Sequence, residues 1–265
     1  MTRKEMNAVK AKSWLDLIDA NQTWVDAINK SAKNTIVRKG RLVSRDELTY
    51  MCSKIEDRSL DNVSLTEENT YDAICRLLNE EETLLGVLNF ASYFNPGGGF
   101  LKGAGAQEES LCHVSGLYPI LSMQKVYSTR RMNKEVPPTY GDELIYCNNV
   151  PFTSAEGHVT MPYLVDVISV AAPNCNRVPI TAMDRYEDAL RKRIEAIVIM
   201  PFINGCNSLV LGAWGCGVFK NDPETVARIF KETILKYGSA YKSIVFALPN
   251  NTIRKVFGKV FNSED

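Results

Sequence analysis

Histidine is nearly absent from this chain: His113 and His158 are the only two. The seven cysteines (52, 75, 112, 147, 175, 206 and 216) are odd in number and contain no Cys-x-x-Cys pair. A zinc site needs histidine and cysteine clustered at short spacing, so the raw material is poor; no metal and no organic cofactor is expected. Thiols scattered in this way read as reduced side chains in a reducing compartment, not as a disulfide framework. Charge excess is also missing, because 31 basic residues balance 31 acidic ones. A nonspecific binder of polyanions usually carries a basic surplus, so any phosphate must be held locally, by backbone amides and helix ends. Apolar runs are short: residues 196–200 are stopped by Pro201, far below the ~20 residues that span a bilayer. The first residues, Met-Thr-Arg-Lys-Glu-Met, hold no apolar stretch of the signal-peptide kind. Repeats and low-complexity tracts are missing too. The expectation is a soluble intracellular protein (cytoplasmic, or nuclear in a eukaryote) with no membrane or sequence-specific nucleic-acid partner.

What is present reads as alternation. With 265 residues the chain fits one large domain, here divided as a helical extension over 1–68 and an α/β core over 69–265. Residues 13–31 carry Trp14, Leu17, Ile18, Trp24, Val25 and Ile28 as a helical stripe, which Asn21-Gln22-Thr23 breaks in two with Thr23 as a cap. Basic residues flank it (Arg3, Lys4, Lys10, Lys12; Lys33, Arg38, Lys39, Arg41), either as a solvated face or as a surface that guides a polymer. Beyond it the pattern predicts a helix over 69–80 capped by Thr70, a strand over 84–90, a glycine loop and a helix over 107–122. An irregular insertion over 131–162 contains a strand at 143–149. Then come a strand over 164–170, a helix over 181–200, a strand over 208–212 and a second glycine loop. Asp222, Pro223 and Glu224 read as N-cap, first-turn proline and early acid of a helix over 223–236. A strand over 243–248 and a helix capped by Asn251 or Thr252 complete the series. Such alternation predicts an α/β sandwich around a largely parallel or mixed sheet, with ligands at the carboxyl ends of its strands.

Both glycine loops follow strands. Gly97, Gly98 and Gly99 are followed, after seven residues, by Gln107-Glu108-Glu109. Three glycines cost about 1 kcal/mol each in regular structure, so they point either to a flexible turn or to a backbone that a ligand approaches closely. Asn95 is a turn residue or a ribose contact, and Asn89 and Ser92 support the loop. Glu108 and Glu109 start a helix, where neighbours diverge by ~100°; that angle argues against two carboxylates flanking one bond and for a division of labour. A helix N-terminus favours their ionised form while burial and mutual repulsion oppose it, so one of the two is placed to hold a proton near neutral pH. The alternative is a pair of solvated first-turn acids. Downstream, Gly212-Ala-Trp-Gly-Cys-Gly-Val-Phe219 supplies the successive amides of an anion-binding nest. It is neither a Walker sequence nor a spaced dinucleotide fingerprint. Phe219 packs on a ligand or anchors the core; Trp214 reads as packing. Cys216 lies close by in sequence but has no histidine partner, and Cys112-His113, adjacent on a helix, read as non-catalytic.

Three blocks in order, Asn-Pro-Gly-Gly-Gly-Phe-Leu, Ala-Gln-Glu-Glu-Ser-Leu and Leu211 to Phe219 with Asn221-Asp-Pro223, resemble those of the bacterial-type poly(ADP-ribose) glycohydrolases. The similar stretches span roughly residues 69–250 and are densest at 87–121 and 209–230. The resemblance implies a macrodomain-like fold: three α/β/α layers with a mixed central sheet and an N-terminal helical extension. It also implies hydrolysis of the ribose–ribose O-glycosidic bond, with Glu109 protonating the departing 2′-oxygen and then activating water, while Glu108 orients the ribose. Substrate contacts are implied at Asn95, Gly97, Gly98, Gly99, Phe100, Gln107, Gly215, Cys216, Gly217, Val218 and Phe219. Tyr140 and Tyr146 are candidates to stack the adenine. The implied partners are poly(ADP-ribose), ADP-ribose and ADP-ribosylated proteins, in the reversal of ADP-ribosylation after DNA damage; cutting from the chain end is implied by resemblance alone. The chain departs from the family pattern at His113, where arginine is frequent, and at 203–207, where histidines are common. Two other functions remain open: a reader macrodomain that captures ADP-ribose without hydrolysis, for which Gln107-Glu108-Glu109 would be superfluous, and a mono-ADP-ribosyl or O-acetyl-ADP-ribose hydrolase.

Overall fold

The structure, a computed structural model, describes residues 1–80, 83–179 and 183–263. In chain order its elements are α1 (Arg3–Asp19), α2 (Gln22–Asn34), β1 (Ile36–Lys39), α3 (Arg45–Cys52), β2 (Val63–Thr66), α4 (Thr70–Leu78), β3 (Leu85–Phe90), α5 (Gln107–Cys112), α6 (Leu117–Ser122), α7 (Val126–Met132), β4 (Glu143–Phe152), β5 (Tyr163–Val170), α8 (Met183–Ile203), β6 (Ser208–Leu211), α9 (Pro223–Tyr237), β7 (Ser243–Ala247) and α10 (Asn251–Phe261). The strands form one seven-stranded sheet in the order β1-β4-β5-β3-β6-β7-β2. The pairs β1–β4 and β4–β5 are antiparallel and the remaining pairs parallel.

Period-two alternation divides each strand between two cores. Leu85 and Val87 of β3, Val210 of β6 and Val245 of β7 face a core with α1, α2 and α4 to α7. Leu88, Leu209 and Phe246 face the opposite core, built with α8, α9 and α10. Helices thus cover both faces, giving the expected three α/β/α layers around a mixed sheet.

Several boundaries differ from the sequence reading, each for a local reason. The helix expected over 107–122 is two helices, because Ser115 forms a bridge to Phe152 and the Gly116 N–H donates to the Pro151 carbonyl at 2.8 Å. Helix caps fall on asparagines one or two residues before those expected: Asn21, Asn69 and Asn250 accept N–H bonds from the first turns of α2, α4 and α10. The strand expected over 143–149 runs on to Phe152, with a bulge between Cys147 and Val150. α8 runs on through Pro201; its expected start at 181 lies outside the described residues. The segment expected as a helical extension also supplies β1 and β2, the two edge strands of the sheet. Four residues apiece carry too short a pattern to announce a strand.

α1 is tied to the body by specific contacts. The Trp14 indole donates to the Ser115 carbonyl (3.1 Å) and the Asn7 amide to the Gly103 carbonyl (3.3 Å). Gly103 sits at φ +76°, where a Cβ would run into the Lys4 carbonyl, so the helix backbone rests directly on the first glycine loop. Arg3, Lys4, Lys10 and Lys12 remain exposed. All seven thiols are free. No helix among the described residues is long and apolar enough to cross a membrane.

Gly103→Ala should therefore combine left-handed strain with overpacking, lowering stability by about 1–3 kcal/mol. That amounts to roughly 2–4 °C in Tm per kcal/mol for a chain of this size. An unchanged thermal melt would show that α1 does not seat on this loop.

Candidate active site

β3 ends at Phe90 in mid-sheet, and the chain leaves it in a series of tight turns. The Gly98 N–H donates to the Asn95 carbonyl and the Phe100 N–H to the Gly97 carbonyl, both at 3.0 Å. This loop then returns to α5, whose first turn brings in both glutamates. Glu108 is 3% and Glu109 6% exposed, which removes the alternative of solvated surface acids.

Each carboxyl is held by donors. Glu108 accepts the Ser92 N–H at 2.7 Å on one oxygen and the Asn89 amide at 3.2 Å on the other. Glu109 accepts the Gly99 N–H at 2.7 Å and the Ala106 N–H at 2.9 Å. The second of these bonds is half of a capping box, made where the N-cap alanine has no side-chain acceptor of its own. Bound in this way, the two side chains converge although their Cα–Cβ bonds diverge. A Cβ on Gly98, which lies at φ +61°, would collide with Glu109 Oε1 and stand 3.0 Å from Glu108 Oε2. Sequence spacing had argued against such a meeting; the long side chains and the returning loop overcome the ~100° separation of neighbours on a helix. Burial raises Glu108 to about 8, assisted by the neighbouring Glu109 charge and opposed by the N–H donors.

The second loop leaves β6 and is pinned by Asn221, which is 2% exposed. Its amide donates to the Pro173 and Gly215 carbonyls, both at 2.9 Å, and its oxygen accepts the Tyr186 hydroxyl at 2.9 Å. Gly215 has no room for a Cβ against this amide (2.5 Å). The N–H groups of Gly217, Val218 and Phe219 find no acceptor among the described residues, as an anion-binding nest requires. Between the two loops lies a cleft of about 860 Å³.

Of the residues singled out from the sequence, Asn95, Gly98, Gly99, Gln107, Glu108, Glu109, Gly215, Gly217, Val218 and Phe219 line this cleft. Three do not. Phe100 is fully buried against His113 and Tyr118, with ring centroids at 4.8 and 5.1 Å. Gly97 faces Tyr118, 2.8 Å from where its Cβ would be, so packing accounts for that glycine. The Cys216 thiol turns to the Trp214 carbonyl at 3.7 Å, and burial pushes it up to about 12, which leaves no nucleophile there. Gln107 borders the cleft, but its amide is occupied: it accepts the Phe90 N–H (2.9 Å) and donates to the Leu88 carbonyl (2.8 Å), extending β3 like an added strand residue.

Neither tyrosine offered for adenine lines the cleft. Tyr146 is buried and bonds Asp166 at 2.7 Å, and Tyr140 stacks on Tyr93. Trp214 is fully buried. Cys112 is fully buried with its thiol raised well above the usual value, and burial lowers His113. Loop 203–207 precedes β6 and so lies at the amino ends of the parallel strands, opposite the cleft.

Sequence reasoning missed the contribution of two helix starts. Asn69, Thr70 and Tyr71 at α4, and Pro249, Asn250 and Ile253 at α10, also line the cleft. Their signal was legible as caps only. Each helix follows a parallel strand, so the carboxyl-end rule could have placed both beside the ligand.

The raised Glu108 links folding to pH. Its proton is bound more tightly in the folded chain than at the ordinary 4.5, so its stabilising contribution is full below about 4.5 and is lost as pH rises through about 8. Between about pH 5 and pH 9 the melting temperature of the wild type should fall relative to Glu108→Gln, which cannot ionise. Parallel melting curves across that range would rule out the buried, proton-holding carboxyl.

The model for the catalytic domain of microbial-type PARG matches residues 3–154. The poly(ADP-ribose) glycohydrolase of Thermomonospora curvata, solved with the inhibitor ADP-HPD, is 28% identical with a TM-score of 0.81, covering 97% of this chain and 99% of that one. The Deinococcus radiodurans enzyme, solved in complex with ADP-ribose, is 32% identical with a TM-score of 0.77, covering 90% of this chain and 98% of that one. No curated protein sequence matches the chain. The family model accounts for more than half of the residues, and the fold agrees with the solved enzymes along nearly the whole chain: the chain belongs to the microbial-type poly(ADP-ribose) glycohydrolase (PARG) family.

Proposed function

We propose that this chain hydrolyses the ribose–ribose O-glycosidic bonds of poly(ADP-ribose) and releases ADP-ribose, with Glu109 as general acid and then base. The observation that carries the assignment is the meeting of two buried carboxyls above Gly98 on the wall of the cleft. Burial raises Glu108 to about 8, so its carboxyl stays protonated at neutral pH and adds no second charge beside Glu109. Glu109, as the general acid, protonates the departing 2′-oxygen as the bond to the anomeric carbon breaks. The resulting oxocarbenium ion is stabilised by the substrate's own diphosphate. Water then attacks the anomeric carbon and returns a proton to Glu109, closing the cycle.

The surrounding groups fit this chemistry. Each Glu109 oxygen accepts a single N–H, which leaves a second lone pair for the substrate. Glu108, fixed from behind by Ser92 and Asn89, orients the ribose hydroxyls. Unpaired amides at Gly217, Val218 and Phe219 hold the diphosphate, and Asn95 borders the ribose. A module that only captures ADP-ribose has no use for two desolvated carboxyls, each of which costs free energy to bury. Among the described residues no cluster of three or more His, Cys, Asp or Glu is placed to hold a metal ion, and the steps above need none.

Two variants separate the roles. Glu109→Gln should lower release of ADP-ribose from labelled polymer by about 10²–10⁴-fold, while calorimetry still detects ADP-ribose binding; full activity would remove Glu109 from the mechanism. Gly98→Val places a branched side chain at φ +61° where both carboxyls meet. It should abolish turnover and binding together, and unchanged affinity would show that the ligand does not approach this backbone.

A further inference from the structure

Residues 139–142 border the cleft only at second hand, yet one buried arginine, Arg193, holds them and a second, Arg130, holds Glu143 and Tyr93 beside them. Arg193, fully buried, donates to the Tyr140 carbonyl at 3.2 Å, to Ala171 at 3.0 Å and to Asp142 at 3.1 Å. Arg130, 4% exposed, bonds Glu143 at 2.7 Å and the Tyr93 carbonyl at 3.0 Å, and its guanidinium lies 4.5 Å from the Tyr93 ring centre. Burying a guanidinium is unfavourable unless its donors are matched, and here most of them go to this one segment and its neighbours. Tyr140 itself is held at φ +63°, a conformation uncommon for a residue with a side chain.

The result of these constraints is a column of rings that ends at the cleft. The Tyr93 and Tyr140 rings stack with centroids 4.6 Å apart and planes inclined by 3°. Phe219 contacts Tyr140 edge-on, with centroids 6.0 Å apart, and the Arg177 guanidinium lies 5.3 Å from the Tyr140 ring centre. Arg130, Tyr93, Tyr140 and Phe219 thus form one chain of contacts, and Phe219 is the member that lines the cleft. Elsewhere the Phe219 loop is tethered by backbone contacts: the Cys175 N–H donates to the Phe219 carbonyl at 2.9 Å and the Asn176 amide to the Val218 carbonyl at 3.0 Å. Val218 is 75% exposed and adds little packing, while Phe219 itself packs against Tyr140 and against the core beneath α8 to α10.

We propose that Tyr140 is a positioning residue: its ring is the platform that sets Phe219 against the bound ADP-ribose unit and thereby sets substrate affinity. The assignment rests on the cleft being the ADP-ribose site. Arg193 grips the Tyr140 carbonyl and not its ring, so Tyr140→Ala removes the platform and leaves the segment pinned.

The test compares Tyr140→Ala, Tyr140→Phe and wild type in kinetics on labelled polymer, in ADP-ribose calorimetry and in amide hydrogen exchange of the free protein. Tyr140→Ala should raise KM and the ADP-ribose Kd together by about tenfold, the size of effect that loss of one aromatic contact gives, with kcat within about twofold. Exchange at residues 217–220 should quicken, and Tyr140→Phe, which keeps the ring, should behave as wild type. Native KM and native exchange in Tyr140→Ala, or a loss confined to kcat, would overturn the proposal. If Tyr140→Ala does not fold, Tyr140→Leu replaces it; this variant keeps bulk without a ring and must show the same rise in KM for the proposal to stand. Quickened exchange in a protein whose wild type releases no ADP-ribose would count against the enzymatic reading alone, and the platform would survive.

Discussion

Two carboxyl groups share one small volume of this protein, and the rest of the site is arranged to make that possible. Left to themselves, adjacent glutamates on a helix separate, and buried ones repel. Here four N–H donors, from Asn89, Ser92, Gly99 and Ala106, draw them back toward Gly98. Three of these donors are main-chain groups of the loop between β3 and α5. The loop therefore holds both carboxyls in place as well as lining the cleft.

That dependence extends the site well beyond the cleft. Gly99 and Ala106 stay where Glu109 needs them only if the loop between them keeps its path, and α1 presses on that path at Gly103. Glycine has three separate uses here. At Gly98 it keeps clear the space where the carboxyls meet, at Gly97 it admits the Tyr118 ring, and at Gly103 it admits a helix backbone. Only the first adjoins the carboxyl pair. On the other side of the cleft, Asn221 does for the second loop what the four donors do for the first. It ties Gly215 to Pro173 and Tyr186, and the amides of Gly217, Val218 and Phe219 find no acceptor among the described residues.

Reading the chain without coordinates recovered the alternation of strands and helices because period-two and helical patterns are local, and most strands of the sheet are long enough to show them. It failed where the deciding contact is remote. The helix over 107–122 breaks because a strand residue, Phe152, captures Ser115. β1 and β2 are strands because β4 and β7 present open edges to them. Cap assignments slipped by one residue at Asn69 and Asn250, where neighbouring polar side chains compete and geometry chooses. Phe100 and Phe219 follow comparable glycine loops, yet one is sealed in the core and the other borders the cleft.

The sequence by itself determined the chemical inventory: a glycine run, a glutamine and two acids at fixed spacing, a second glycine loop ending in Phe219, and neither the histidine nor the cysteine clusters for a metal centre. These follow from composition and order, which folding does not alter. Only the tertiary structure decided which of those groups meet. Gln107 was turned into a prop for β3, Cys216 was turned away, and Tyr140 was withdrawn behind Phe219, while Glu108 and Glu109 were brought together against their natural divergence. The reason is physical. Direction and burial of a side chain are set by elements far away along the chain, and desolvation, which raises Glu108 and lets a proton reside there, exists only once both layers of helices have closed over the sheet.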